Sequence, residues 1–133
     1  MDWCWCISSK KYVKYAILTI EGKLQKSYQT LPKNCVTSLS CEYHPAMDES
    51  DSLDSEDTAC YQIAIGIPRW AVETGRIDIL FEVFIISSHM AAPQEGHMRE
   101  LFHTFGYLKK SSLRKIYLDS NYPKVSKNRF EWF

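Results

Sequence analysis

Wound into a helix, the segment Ile77 to Met90 is apolar on nearly every side, because Ile79, Leu80, Val83, Phe84, Ile85 and Ile86 leave little room for a polar face. A helix of that kind has to be enclosed by other elements. It is therefore predicted to be the central, most buried helix, with the rest of the chain arranged around it. Ala91-Ala92-Pro93 should end it. A following helix from about Pro93 to Lys110 carries Met98, Leu101, Phe102, Phe105 and Leu108 on one face, which should meet the third helix.

Two further helices precede these. From Lys10 to Lys26, Val13, Ile17, Ile20 and Leu24 recur at three- and four-residue intervals, while Lys10, Lys11, Lys14 and Lys23 fall elsewhere. This is an amphipathic helix with a basic exposed face, weakened late by Gly22. Solvent is one destination for such a face and nucleic acid another. Asp57-Thr58 can cap a helix running toward Thr74, with Tyr61, Ile65 and Val72 on one side and Gly75 as a stop. Pro68 lies inside it and should kink or break it near Ile67, because proline lacks the amide donor and clashes with the preceding turn.

The period vanishes between Gln29 and Thr58. Pro32 and Pro45 interrupt, and Glu42, Asp48, Glu49, Asp51, Asp54, Glu56 and Asp57 gather among serines. A long, solvated acidic loop is expected. The carboxylates lack the spacing of a calcium loop. Short strands are expected at either end, in Trp3 to Ile7, followed by the capping pair Ser8-Ser9, and in Leu113 to Leu118, followed by a turn at Asp119-Ser120-Asn121. The predicted class is mainly α, a small bundle of about four helices with short terminal strands and a long acidic loop. It divides as 1–28, strand tail and first helix; 29–57, acidic loop; 58–110, helical core; and 111–133, basic strand and tail.

Composition narrows the function classes. The 133 residues suit one small domain. A net charge of zero argues against a globally basic nucleic-acid binder, although charge is segregated along the chain. From Lys109 to Arg129, the cations Lys109, Lys110, Arg114, Lys115, Lys124, Lys127 and Arg129 are opposed by Asp119 alone. That tail is the feature most like a phosphate-contacting patch, with Arg69 and Arg76 as further candidates. No apolar run approaches the roughly 18 residues that span a bilayer, and the start lacks a secretory pattern, so the expected setting is intracellular, cytoplasmic or nuclear. Five irregularly spaced cysteines read as free thiols.

No metal or cofactor site is expected. Cys60, His89, His97 and His103 offer a thiol and imidazoles but no orienting third group. His97 and His103, six apart, fall on different sides of one helix. Asp78 flanks a helix start, where a carboxylate can satisfy orphan amides.

The stretch from Tyr61 to Lys110 resembles the block that follows the polymerase palm in copia-type retrotransposon polyproteins. The residues carrying the resemblance are Tyr61, Ile65-Gly66, Trp70, Arg76-Ile77-Asp78-Ile79, Ser87 or Ser88 before Pro93, His97 and Tyr107-Leu108-Lys109. Upstream, Ser8-Ser9-Lys10-Lys11-Tyr12-Val13 is similar to the helix that begins the family's thumb, and Val36-Thr37-Ser38-Leu39 is similar to its linker with serine in place of proline. The resemblance runs from about Cys6 to Tyr122. It implies the thumb and connection region of a reverse transcriptase, a helical bundle that holds an RNA or DNA template-primer duplex while the palm does the chemistry.

Departures limit what carries over. The family's polymerase holds magnesium on an aspartate pair, and no Asp-Asp pair occurs here, so no enzyme activity is expected. Pro68 stands where the family usually has leucine or methionine. A transposon relic, an independent helical protein-interaction module, and an enzyme fragment needing a palm supplied in trans are the other expectations. An orphan thumb should expose the apolar surface that once faced the palm.

Overall fold

The computed structural model describes residues 5–26 and 29–118. The predicted strand tail before Trp5, the turn at Asp119 and the cations Lys124, Lys127 and Arg129 lie outside the described residues. Within them the fold is mainly helical: β1 (Trp5–Ile7), α1 (Lys10–Lys26), α2 (Ser55–Glu73), α3 (Leu80–Ser87), α4 (Glu95–Lys110) and β2 (Ile116–Leu118). A 3-10 turn at Pro45–Met47 interrupts the connection from α1 to α2, and another at Ile77–Ile79 leads into α3.

The first helix forms as its period predicts. Ser8 Oγ accepts the Lys10 amide at its start, Lys23 and Lys26 occupy its last turn, and Val13, Ile17, Ile20 and Leu24 are all buried. α2 begins earlier than expected, at Ser55, because Asp54 rather than Asp57 or Thr58 takes the cap position, its carboxylate accepting the Asp57 amide at 2.7 Å. It also runs unbroken through Pro68. Tyr61, Ala64, Ile65, Pro68 and Ala71 are buried along it, and packing that stripe against α1, α3 and α4 outweighs the roughly 3 kcal/mol that an interior proline costs. The chain then reverses at Gly75, whose φ of 113° suits a residue without a Cβ.

The burial order of the last two helices is the reverse of the expected one. α3 is only eight residues long, and it buries Val83 and Ile86 while Phe81 and Phe84 stand 70% and 72% exposed. α4 is the central helix. Leu101, Phe105 and Leu108 fill its apolar face, and Gly96, His97, Glu100, Thr104 and Gly106 are buried on its other sides. One apolar stripe meets α1, α2 and α3. The rest lies beneath the connection 29–54.

That connection is a strap rather than a solvated loop. Leu31, Cys35 and Ser38 are buried in it, and α4 holds it at successive points. Glu100 accepts from the Ser40 amide and hydroxyl, both at 2.8 Å. Thr104 Oγ1 donates to Ser38 O at 2.9 Å. His97 and His103 each place Nε2 against a strap carbonyl, those of Pro45 and Thr37. At the N-terminus of α4, Gly96 donates its amide to Ser50 Oγ, and the Asp51 and Pro93 carbonyls accept the Glu95 and Leu53 amides. Two glycines let the strap come this close. A Cβ on Gly106 would lie 2.5 Å from Pro32 O and 2.7 Å from Cys35 Sγ, and one on Gly96 would fall inside the Asp48 carboxylate.

Gly106→Ala is therefore expected to destabilise the protein by about 1–3 kcal/mol through overpacking against backbone. Alanine's better helix propensity, worth up to about 1 kcal/mol, works in the opposite direction. Gly22→Ala, where a Cβ meets nothing within 4 Å, should stabilise. Urea melts of the two variants check both signs, and a gain at both sites would show that the strap does not bear on α4.

β1 and β2 close the fold as a two-stranded antiparallel ribbon in which Trp5 pairs with Leu118, Cys6 with Tyr117 and Ile7 with Ile116. No helix among the described residues is long and apolar enough to cross a membrane.

Candidate nucleic-acid interface

The last turns of α1 and α4 carry Lys23 and Lys26, and Lys109 and Lys110. Cations are favoured there by the partial negative charge of a helix C-terminus. Because α1 packs on α4, these ends converge, and Glu21 pairs with Lys109 at 2.5 Å. Between them and the start of the strap lies a cleft of about 400 Å³ whose walls include Glu21, Gln25, Lys33, Lys109 and Lys110. An adjoining cleft of about 780 Å³ shares Leu24, Gln29, Thr30 and Pro32 with it and adds Lys23 and Arg99 beside Asp57 and Glu95.

Five cations thus face three carboxylates, and among the described residues Lys109 alone of the five has an ion-pair partner. Ammonium groups gathered on flexible stems around an open trough favour an extended polyanion, since a phosphate chain relieves their mutual repulsion at several points. Sequence reasoning missed Arg99, on α4, and Lys33, which the strap brings in. Lys33 is a single lysine in an aperiodic stretch and carries no signal of its own.

The other expected cations are distributed differently. Arg76 is 1% exposed, with Nε and Nη2 donating to the two Asp78 oxygens at 2.8 and 2.9 Å and Nη2 also to Ser111 Oγ at 2.7 Å. It is committed to the interior and presents no guanidinium to a phosphate. Asp78 likewise does not cap the helix that follows it. Burial pushes its carboxyl up, but the hydrogen bonds and charge of Arg76, with the Tyr107 hydroxyl, more than offset that and hold it below the ordinary carboxylate range. Arg114 stands 3.5 Å from Asp78 and 5.4 Å from the Tyr107 ring centre. Lys115 lies over Tyr117. Arg69 is exposed on α2 beside Trp70, which is 56% exposed.

Of the residues that carry the resemblance, Tyr61, Tyr107 and Leu108 belong to the core. Tyr61 is fully buried and donates its hydroxyl to Ile86 O at 2.8 Å, and Tyr107 donates to Asp78. Leu108 is buried, and Gly66 faces open space. His97 completes a capping box with Gln94, its Nδ1 accepting the Gln94 amide at 3.0 Å. His89 stacks on it at 4.1 Å, and its pKa is lowered by burial and by the neighbouring imidazole. Cys60 lies in the wall of the larger cleft. Among the described residues no three His, Cys, Asp or Glu side chains gather as a metal site would require.

The chain was compared with protein-family models, with curated proteins and with solved structures, and none of the three comparisons gives a match.

Proposed function

We propose that this chain is a thumb-like, nucleic-acid-binding piece of a copia-type reverse transcriptase that grips a template-primer duplex through its phosphates and performs no polymerase chemistry itself. The observation that carries the reading is the convergence of Lys23, Lys33, Lys109 and Lys110 on adjoining clefts at one end of the bundle. Cations on rigid helix ends can follow a backbone without reading bases. The motif residues at Tyr61, His97 and Tyr107 fit this role as the scaffold that sets those ends in place.

The test is binding of a labelled RNA–DNA hybrid duplex over a salt series. The expected result is an affinity that falls steeply with salt. Replacing Lys33, Lys109 and Lys110 together by glutamine should flatten the log–log slope by about 2–3, at close to 0.9 for each phosphate no longer neutralised. A slope unchanged in the triple variant would remove the clefts from the interface. Absent binding together with a non-cooperative melt would instead mark a transposon relic.

A second reading rests on a separate observation. Ile77, Leu80, Phe81 and Phe84 stand 63%, 54%, 70% and 72% exposed on and just before α3, a concentration of apolar surface that favours a protein contact. Under the first reading this is the face on which the palm would pack. Under the second, the chain is an independent protein-interaction module.

A further inference from the structure

One face of the β1–β2 ribbon is turned toward the bundle, since a Cβ on Gly75 would lie 3.1 Å from Ile7 Cγ2 and 3.7 Å from Ile116 Cδ1. Side chains alternate along a strand, so Cys6 and Tyr117, which are cross-strand partners, occupy the opposite face. Tyr117 is 65% exposed there, and the Lys115 ammonium lies 5.8 Å from its ring centre. Arg114, which precedes them, is turned the other way, toward Asp78 and the Tyr107 ring. From Lys109 to Tyr117 the chain carries four cations and no carboxylate. This segment leads directly out of the lysine cleft at the end of α4.

From this arrangement we infer that the outer face of the ribbon is a stacking site for an unpaired nucleotide, with the Tyr117 ring taking the base and Lys115 the flanking phosphate. The occupant is a single-stranded end of the nucleic acid whose duplex part lies in the lysine cleft, so the site rests on the function proposed above. Charge complementarity and continuity with that cleft select this occupant. Every base has a π-face, so the site would accept any sequence.

The experiment compares a blunt hybrid duplex, the same duplex with a short unpaired extension, and the extension made abasic, each against the unaltered chain, Tyr117→Ala and Tyr117→Phe. The extension should tighten binding about tenfold, the abasic extension should give little of that gain, Tyr117→Ala should abolish it, and Tyr117→Phe should keep it. Blunt-duplex affinity should be the same in all three proteins. A gain that survives Tyr117→Ala, or that an abasic extension reproduces in full, overturns the stacking site and leaves duplex binding standing. Tyr117-dependent binding of the extended duplex with no binding of the blunt one overturns the cleft and upholds the ribbon. No binding of any probe overturns both. Because Tyr117 is largely exposed, circular dichroism of the alanine variant should match that of the unaltered chain.

Discussion

Phe105→Ala is expected to lower the unfolding free energy by about 3–5 kcal/mol, whereas Phe84→Ala should leave it within about 0.5 kcal/mol. The two residues are the same type in neighbouring helices and differ in what surrounds them: Phe105 is 0% exposed at the centre of the core, and Phe84 is 72% exposed. Removing the Phe105 ring takes a large share of the roughly 5–15 kcal/mol typical of a whole domain. Urea denaturation followed by circular dichroism measures both. Comparable losses at the two positions would mean that α3 is enclosed after all.

Asp78→Ala should cost about as much, roughly 3–5 kcal/mol, because it leaves a buried guanidinium without its counter-charge. Arg76 is 1% exposed, and its Nη1 already has no hydrogen-bond partner among the described residues. Without Asp78 it keeps, among the described side chains, the Ser111 hydroxyl as its hydrogen-bond partner and the Tyr107 ring, 5.9 Å from its guanidinium carbon. Converting the pair together, as Arg76→Met with Asp78→Ala, should recover most of the loss, since no charge is then stranded. The acid limb supplies an independent check. A carboxyl held below its ordinary value in the fold contributes stability that is fully present above the unfolded pKa of about 3.9 and is lost as pH falls through the folded one. The unaltered protein should therefore weaken below about pH 4 more steeply than the Asp78→Ala variant. A double variant no more stable than Asp78→Ala alone would contradict the stranded-charge account.

These variants also mark where the sequence was legible. The period of α1 identified four of its five buried residues, missing Ala16, and the stripe Leu101, Phe105, Leu108 marked one side of α4. Period failed for Ile77 to Met90, because an apolar surface on all sides reads alike whether a helix is enclosed or leaves half of itself bare. The second buried side of α4 is written in Gly96, Glu100, Thr104 and Gly106, residue types that ordinarily mark solvent or weak helix. Only the strap's position over them gives them that meaning.

The site was legible in the same uneven way. Lys109 and Lys110 stood out as part of a cationic run, and the structure places them at the cleft. Lys33 and Lys23 join them through tertiary packing alone. Arg76 and Asp78 were visible as charged residues two apart. That the short 3-10 turn folds them into an inward-facing fork depends on the chain reversal at Gly75.

The ribbon joins residues about a hundred positions apart. Closing a loop of that length in an unfolded chain costs roughly 4 kcal/mol of entropy, more than three residue pairs can return by themselves. β1 and β2 can therefore zip only after the helices have already brought their ends together, which makes them a clasp that closes last and opens first. A ligand gripping this clasp would hold both ends of the described fold at once, and its binding energy would appear as slower opening of the whole bundle.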